Sequence, residues 1–107
     1  MIVYNKLVRD KIPEIIRKDK KHPVIEILDD NAYELELKKK LMEEINEYND
    51  AKTKEEAVEE LADVMEVIHA LSKVHGKSID EIDLVRKEKF KKRGGFTDKV
   101  FLLGVKE

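Results

Sequence analysis

The feature that most constrains the fold is a pair of apolar and acidic repeats between Leu37 and Leu71, joined by a short polar link. At about 100° per residue, a helix through the first repeat gathers its large apolar side chains on one stripe. That stripe consists of Tyr33, Leu37, Leu41, Ile45 and Tyr48. Glu44 falls in the middle of it and Glu47 at its edge. The sequence therefore predicts an amphipathic helix that carries carboxylates on its core-facing side.

The second repeat predicts another helix, which begins at Thr53 because its hydroxyl can cap the backbone, while Glu56 completes a capping box. Glu60 lies inside the apolar stripe of this helix and Asp63 at its margin. The stripe itself comprises Ala57, Val58, Leu61, Val64, Met65, Val67, Ile68, Leu71 and Val74. A helix that is apolar around more than half of its circumference has more apolar surface than one small chain can cover. The pattern therefore predicts a helix-bundle homodimer.

The link at residues 49–52 is short, so the two helices should be antiparallel neighbours with their carboxylates within about one helical turn, roughly 5 Å, of the same height. Like charges in a half-dry cleft repel one another and lose hydration unless a cation lies among them. Magnesium fits, because it takes one or two carboxylates, keeps several waters and is commonly completed by substrate phosphates. Manganese is a second possible ion. A zinc site has little support, since the chain has no Cys and its three His are scattered.

The alternative is that these acids form ordinary solvated helix faces, which are common in a chain that is 43% charged. Two observations favour the metal site. Glu44 and Glu60 fall on apolar stripes, and ten acids face only two lysines between Glu43 and Glu66.

The spacing Glu44-x2-Glu47, twelve intervening residues, then Glu60-x2-Asp63 resembles the metal-binding signature of the all-α NTP pyrophosphohydrolases, the superfamily of MazG and phosphoribosyl-ATP pyrophosphohydrolase. The flanking segments resemble the branch described as phosphoribosyl-ATP pyrophosphohydrolase-like. They are YNKLVRDKIPEII at 4–16, KKLMEEINEY and EELADVMEVIHAL around the two acidic pairs, and KFKKRGGF at 89–96. The resemblance covers nearly the whole chain, and none of the four acidic positions departs from it.

The resemblance implies a mainly α, antiparallel helix bundle in which the four acids bind Mg²⁺ and the chain assembles as a homodimer or tetramer. It implies hydrolysis of a nucleoside triphosphate between the α- and β-phosphates to give a monophosphate and pyrophosphate. Glu47, at the edge of its stripe, would orient or deprotonate the attacking water. Two alternatives stay open: phosphoribosyl-ATP as the substrate, or a helical dimer module that binds nucleotide or metal without turnover.

Basic residues near the N-terminus are candidate phosphate ligands. From composition alone, Lys6 and Arg9 belong to a solvated basic turn, whereas the resemblance of KLVRDKIP makes them candidates for substrate or intersubunit contacts. Lys40 lies four residues before Glu44 and can pair with it along the helix, or reach a phosphate beside the metal.

A third long helix is predicted from a capping box at Ser78 and Glu81 to the glycines at 94–95. Lys89 and Arg93 are four residues apart and share one face of this helix. Cations at a helix C-terminus also complement the macrodipole, so a purely structural role is an alternative. The resemblance of KFKKRGGF favours phosphate binding by these two residues.

The remaining chain predicts a short helix from Pro13 to about Lys18 and a small β accessory. Its strands would be Val24–Leu28 and the tail Lys99–Gly104, with a further short strand at Ile2–Tyr4.

One domain, residues 1–107, is expected from the length. The net charge of −2 gives no general attraction to nucleic acid or anionic membranes. With no signal peptide or membrane span in the pattern, a cytoplasmic location is expected.

Overall fold

Four α-helices form the architecture, and a computed structural model describes all of residues 1–107. The helices are α1 at Ile12–Lys18, α2 at Asp30–Asp50, α3 at Lys54–Val74 and α4 at Ile79–Arg93. The prediction of a mainly α, antiparallel helix bundle is confirmed. None of the four helices combines the length and apolar character that crossing a membrane requires.

Helices α2 and α3 form the centre of the fold. Only residues 51–53 separate them, so the chain reverses and the two helices pack antiparallel along their length. The most buried apolar side chains are one from each helix, Leu37 and Val67, which are 3% and 7% exposed. Helix α4 packs against α3 alone among the helices. The apolar core of one chain is therefore a narrow seam between α2 and α3.

Side-chain caps set where the long helices begin. The Asp29 carboxylate accepts a hydrogen bond from the backbone N–H of Ala32 at 2.8 Å, and this caps α2. Ser78 and Glu81 form the predicted capping box of α4. These bonds satisfy backbone N–H groups that have no partner inside a helix.

The capping box predicted at α3 is only half formed. The Thr53 hydroxyl accepts from the Glu56 N–H at 3.1 Å, as predicted. The Glu56 carboxylate, however, accepts from the backbone N–H of Lys52 at 3.0 Å rather than from Thr53. Helix α3 ends at Val74, and Gly76 two residues later has a φ of +71°, the left-handed conformation that favours glycine after a helix.

The prediction of a small β accessory is wrong, because the structure contains no strand. The segments Ile2–Tyr4, Val24–Leu28 and Lys99–Gly104 make no backbone hydrogen bonds with one another. Apart from the half-buried Leu28, their apolar side chains are exposed, at 80% for Val24 and 85% for Phe101. β-Branched content favours extended backbone, but a strand also needs a neighbouring segment to complete its hydrogen bonds.

We expect Ser78→Ala to lower the free energy of unfolding by about 1 kcal/mol, because the replacement removes the cap of α4. Ser78→Asn is the matched control, since its side-chain oxygen can accept the same N–H and should retain most of the stability. Urea unfolding at one fixed protein concentration measures both variants. An equal loss in the two would show that the cap does not stabilise α4.

Candidate metal centre

Three carboxylates meet at the face between α2 and α3. Glu44 and Glu47 are three residues apart on α2 and so project from one side of it, while Glu60 projects from α3 across the seam. One carboxylate oxygen from each lies within 4.8 Å of the other two. The antiparallel register thus brings together three of the four acids that the sequence selected as metal ligands.

Burial of these carboxylates is uneven. Glu44 is 7% exposed and its Oε2 has no hydrogen-bond partner. Glu60 is half-buried, and its Oε2 is likewise buried without a partner. Glu47 is exposed. Because a buried carboxylate oxygen without a donor costs free energy, the site holds two oxygens that a cation would satisfy.

The electrostatics of the cluster act most strongly on Glu44. Burial raises its pKa above the ordinary value of 4.5, and the neighbouring Glu47 raises it further through a shared hydrogen bond and like charge. The charge of Asp63 acts in the same direction, while Lys40 opposes the rise. The cluster therefore carries more negative charge than the cations beside it balance.

Asp63, the fourth predicted ligand, lies next to the cluster but is paired with a cation. Its Oδ1 accepts a hydrogen bond from Nη2 of Arg9 at 2.8 Å. Both side chains are partly exposed, at 57% for Arg9 and 38% for Asp63. Arg9 thus lies at the site, where it contacts a predicted metal ligand.

Two lysines lie beside the cluster. Lys40 Nζ lies 3.5 Å from Glu44 Oε1 and 3.3 Å from Glu43 Oε1, so it does pair with Glu44 along the helix. Lys6 reaches the same Glu43 oxygen at 3.7 Å. Sequence reasoning did not select Glu43, although its position three residues after Lys40 is the spacing of a helical ion pair.

Lys89 and Arg93 are not brought to the cluster within one chain. Both are exposed on α4, and neither makes a hydrogen bond or an ion pair. Helix α4 contacts α3 but not α2, which supplies two of the three clustered carboxylates. Any contact of Lys89 or Arg93 with a molecule held at the cluster would therefore require a second chain.

The donor set suits a hard divalent cation. All three clustered side chains offer oxygen, which Mg²⁺ and Mn²⁺ prefer, and no histidine joins them. The unpartnered oxygens of Glu44 and Glu60 are the strongest sign that the residues fit such an ion. The exposed Glu47 leaves one side of the site open to water and to a substrate.

Comparisons with known proteins give one relative of unassigned function. An uncharacterized protein of Mycolicibacterium smegmatis is 47% identical over 53 residues, which are 50% of this chain and 54% of that protein. The chain therefore spans about half the length of the curated relative it matches. No protein-family model and no solved structure matches the chain.

Without divalent metal, Glu44→Gln should make the protein more stable than the wild type at pH 7. The folded-state pKa of Glu44 is raised, so its ionisation costs folding free energy as the pH rises above the ordinary value of 4.5. The amide cannot ionise and avoids this cost. The advantage should shrink as the pH falls, and it should vanish below the ordinary value of 4.5, where the wild-type carboxyl becomes protonated in the unfolded as well as the folded state.

Thermal unfolding in EDTA between pH 4 and 8 measures this difference. Glu34→Gln is the matched control, because Glu34 lies on the same helix and pairs with Lys38 at the surface. Its variant should unfold as the wild type does across the range. A Glu44→Gln variant that is less stable than the wild type at pH 7 would contradict the expectation.

Proposed function

We propose that this chain is a magnesium-dependent nucleoside triphosphate pyrophosphohydrolase, which cleaves between the α- and β-phosphates to give a monophosphate and pyrophosphate. The observation that carries the proposal is the three-carboxylate cluster with buried, unpartnered oxygens on Glu44 and Glu60. The acidic spacing that resembles the all-α NTP pyrophosphohydrolases supports the same activity. A structural role alone gives no reason to bury carboxylates without partners.

In this proposal Glu44, Glu47 and Glu60 hold Mg²⁺ or Mn²⁺, with Asp63 as the fourth ligand. When bound, the metal supplies positive charge to the polyphosphate and lowers the pKa of a coordinated water. Its binding would also remove the cost of the buried charge on Glu44.

The chain's own residues divide the remaining work. Glu47 is exposed at the edge of the cluster, where its carboxylate can accept a proton from the attacking water and orient it. Lys6 and Lys40 lie beside Glu43 and supply positive charge for phosphate oxygens. Lys89 and Arg93 have no partners of their own, and we assign them phosphate contacts within an assembly of chains.

The assembly is part of the proposal, because one chain is too open to be a stable unit. Its accessible surface is 10256 Å², whereas a folded monomer of this mass exposes about 6,200 Å². Its radius of gyration is 18.4 Å, against about 13 Å for a compact chain of this length. An excess of about 4,000 Å² per chain is more than enough surface for the interfaces of obligate oligomers, which bury about 2,000–5,000 Å² over both partners.

Helix α3 carries the surface that we propose for contact with a second copy. Its buried side faces α2, but a second row of apolar residues lies on a neighbouring side and is 37–65% exposed. This row consists of Val58, Leu61, Met65 and Ile68. Spacings of three and four residues are those of a helix–helix seam. We propose that this row packs against a second copy of the chain in a homodimer or tetramer.

Leu61→Lys should convert the assembly to monomers, because it places a charge in the middle of that row. Glu59→Lys is the matched control, since it introduces the same side chain two residues earlier at an exposed, polar position of α3. Light scattering after size-exclusion chromatography gives the mass of each species. A wild-type mass of 12.5 kDa, or equal dissociation of both variants, would contradict the proposed interface.

The activity is tested by pyrophosphate release from a panel of canonical and modified nucleoside triphosphates, with phosphoribosyl-ATP included. With Mg²⁺ we expect a monophosphate product, and EDTA should abolish it. Glu44→Gln and Glu60→Gln should slow turnover by roughly 10²-fold or more, the scale on which losing one charge-stabilising group slows an enzyme. Glu59→Gln, next to Glu60 but exposed, should leave the rate unchanged.

The panel also separates the alternatives. Cleavage of phosphoribosyl-ATP in preference to every nucleoside triphosphate would reassign the substrate. No release from any compound, with the protein folded and metal bound, would contradict an enzymatic role and favour a binding module.

A further inference from the structure

We propose that Arg9 is the counter-ion of Asp63 in the metal-free chain, and that it would contact the phosphates of the substrate when Asp63 serves as a metal ligand. The inference rests on the proposed function, because it concerns the same site. Arg9 would then be a substrate-binding residue that has a different partner before and after substrate binds.

The first support is the position of Arg9. It lies in the irregular segment before α1, 54 residues from Asp63 in sequence, yet its Nη2 lies 2.8 Å from Asp63 Oδ1. Its carbonyl accepts a hydrogen bond from the Ile12 N–H at 3.0 Å, which ties the segment to the start of α1. Arg9 therefore lies beside the cluster on a segment that can shift without changing a long helix.

The second support is the strength of the pair. Arg9 is 57% exposed and Asp63 is 38% exposed, so water screens the attraction and the pair is weak. A divalent ion bound to the neighbouring carboxylates would repel the guanidinium and compete for the Asp63 oxygens. One divalent ion neutralises only part of the negative charge of a polyphosphate, so phosphate oxygens remain for which a fork-shaped guanidinium is a suitable donor.

The third support is the contrast with Lys40. Its side chain is only 19% exposed, and it is held on the same helix as its partners Glu43 and Glu44. Lys40 can balance the negative charge of Glu43 and Glu44, but it has little freedom to leave these partners. Among the cations paired with the four predicted ligands, Arg9 is the one free to leave.

The test compares wild type with Arg9→Ala in two binding measurements that need no turnover. Binding of Mn²⁺ alone, followed by loss of the free-ion electron paramagnetic resonance signal, should tighten by about 1.5- to 5-fold in the variant, the factor that an exposed ion pair supplies. Binding of inorganic tripolyphosphate at saturating Mg²⁺, followed by calorimetry, should weaken by about ten-fold, the effect of losing a charged hydrogen bond. A purely structural role would not move the two affinities in opposite directions.

Arg86→Ala is the matched control. Arg86 pairs with Asp83 on α4, and the pair is exposed to a similar degree, at 61% and 42%. This variant should bind both probes as the wild type does. Arg9→Lys keeps the charge without the fork and should fall between the wild type and Arg9→Ala for both probes.

The outcomes separate the two proposals. Wild-type protein that binds Mn²⁺ with the same affinity as Arg9→Ala overturns the role of Arg9 and leaves the metal site intact. Weakened binding of both probes in Arg9→Ala also overturns it, because Arg9 then supports the site and does not compete with the metal. Wild-type protein that binds no Mn²⁺ contradicts the metal site itself, and the role of Arg9 with it.

Discussion

The burial of Glu44 between α2 and α3 is the constraint on which the rest of the site depends. Its carboxylate lies in the same seam as Leu37 and Val67, so the narrow core of the chain contains a negative charge. Hydrophobic burial holds the helices together, while the charge opposes it. Lys40 offsets part of that cost, and the unpartnered oxygen shows that the offset is incomplete. The charge of Glu44 in the seam therefore lowers the stability of the fold.

The parts of the fold that could be predicted are those that depend on residues close together in the sequence. The caps at Thr53 and Ser78 lie where the sequence predicts them, because each depends on a few neighbouring residues. The strands failed for the opposite reason. Val24–Leu28 has the composition of a strand, but pairing depends on distant segments that composition does not describe. The unexpected partner of Glu56 shows that one carboxylate can choose between two adjacent N–H groups.

The same distinction applies to the candidate site. Helical phase and the short link were sufficient to bring Glu44, Glu47 and Glu60 together. The link between Arg9 and Asp63 could not be predicted, because Arg9 lies in an irregular segment whose path no periodicity describes. Lys89 and Arg93 illustrate a further limit, since sharing a helix face says nothing about which neighbour that face meets.

The two apolar sides of α3 limit which of its residues can be substituted. One side meets α2 and the carboxylate cluster, and the other carries the exposed apolar row, so little of the helix circumference is left to face water. The remaining strip runs along Glu55, Glu59, Glu66 and Lys73, all of which are exposed. Neutral substitutions in α3 should therefore be confined to this strip. A saturation library of the helix would show tolerance there and intolerance on both sides of it, although the residues of the exposed row are 37–65% exposed within their own chain.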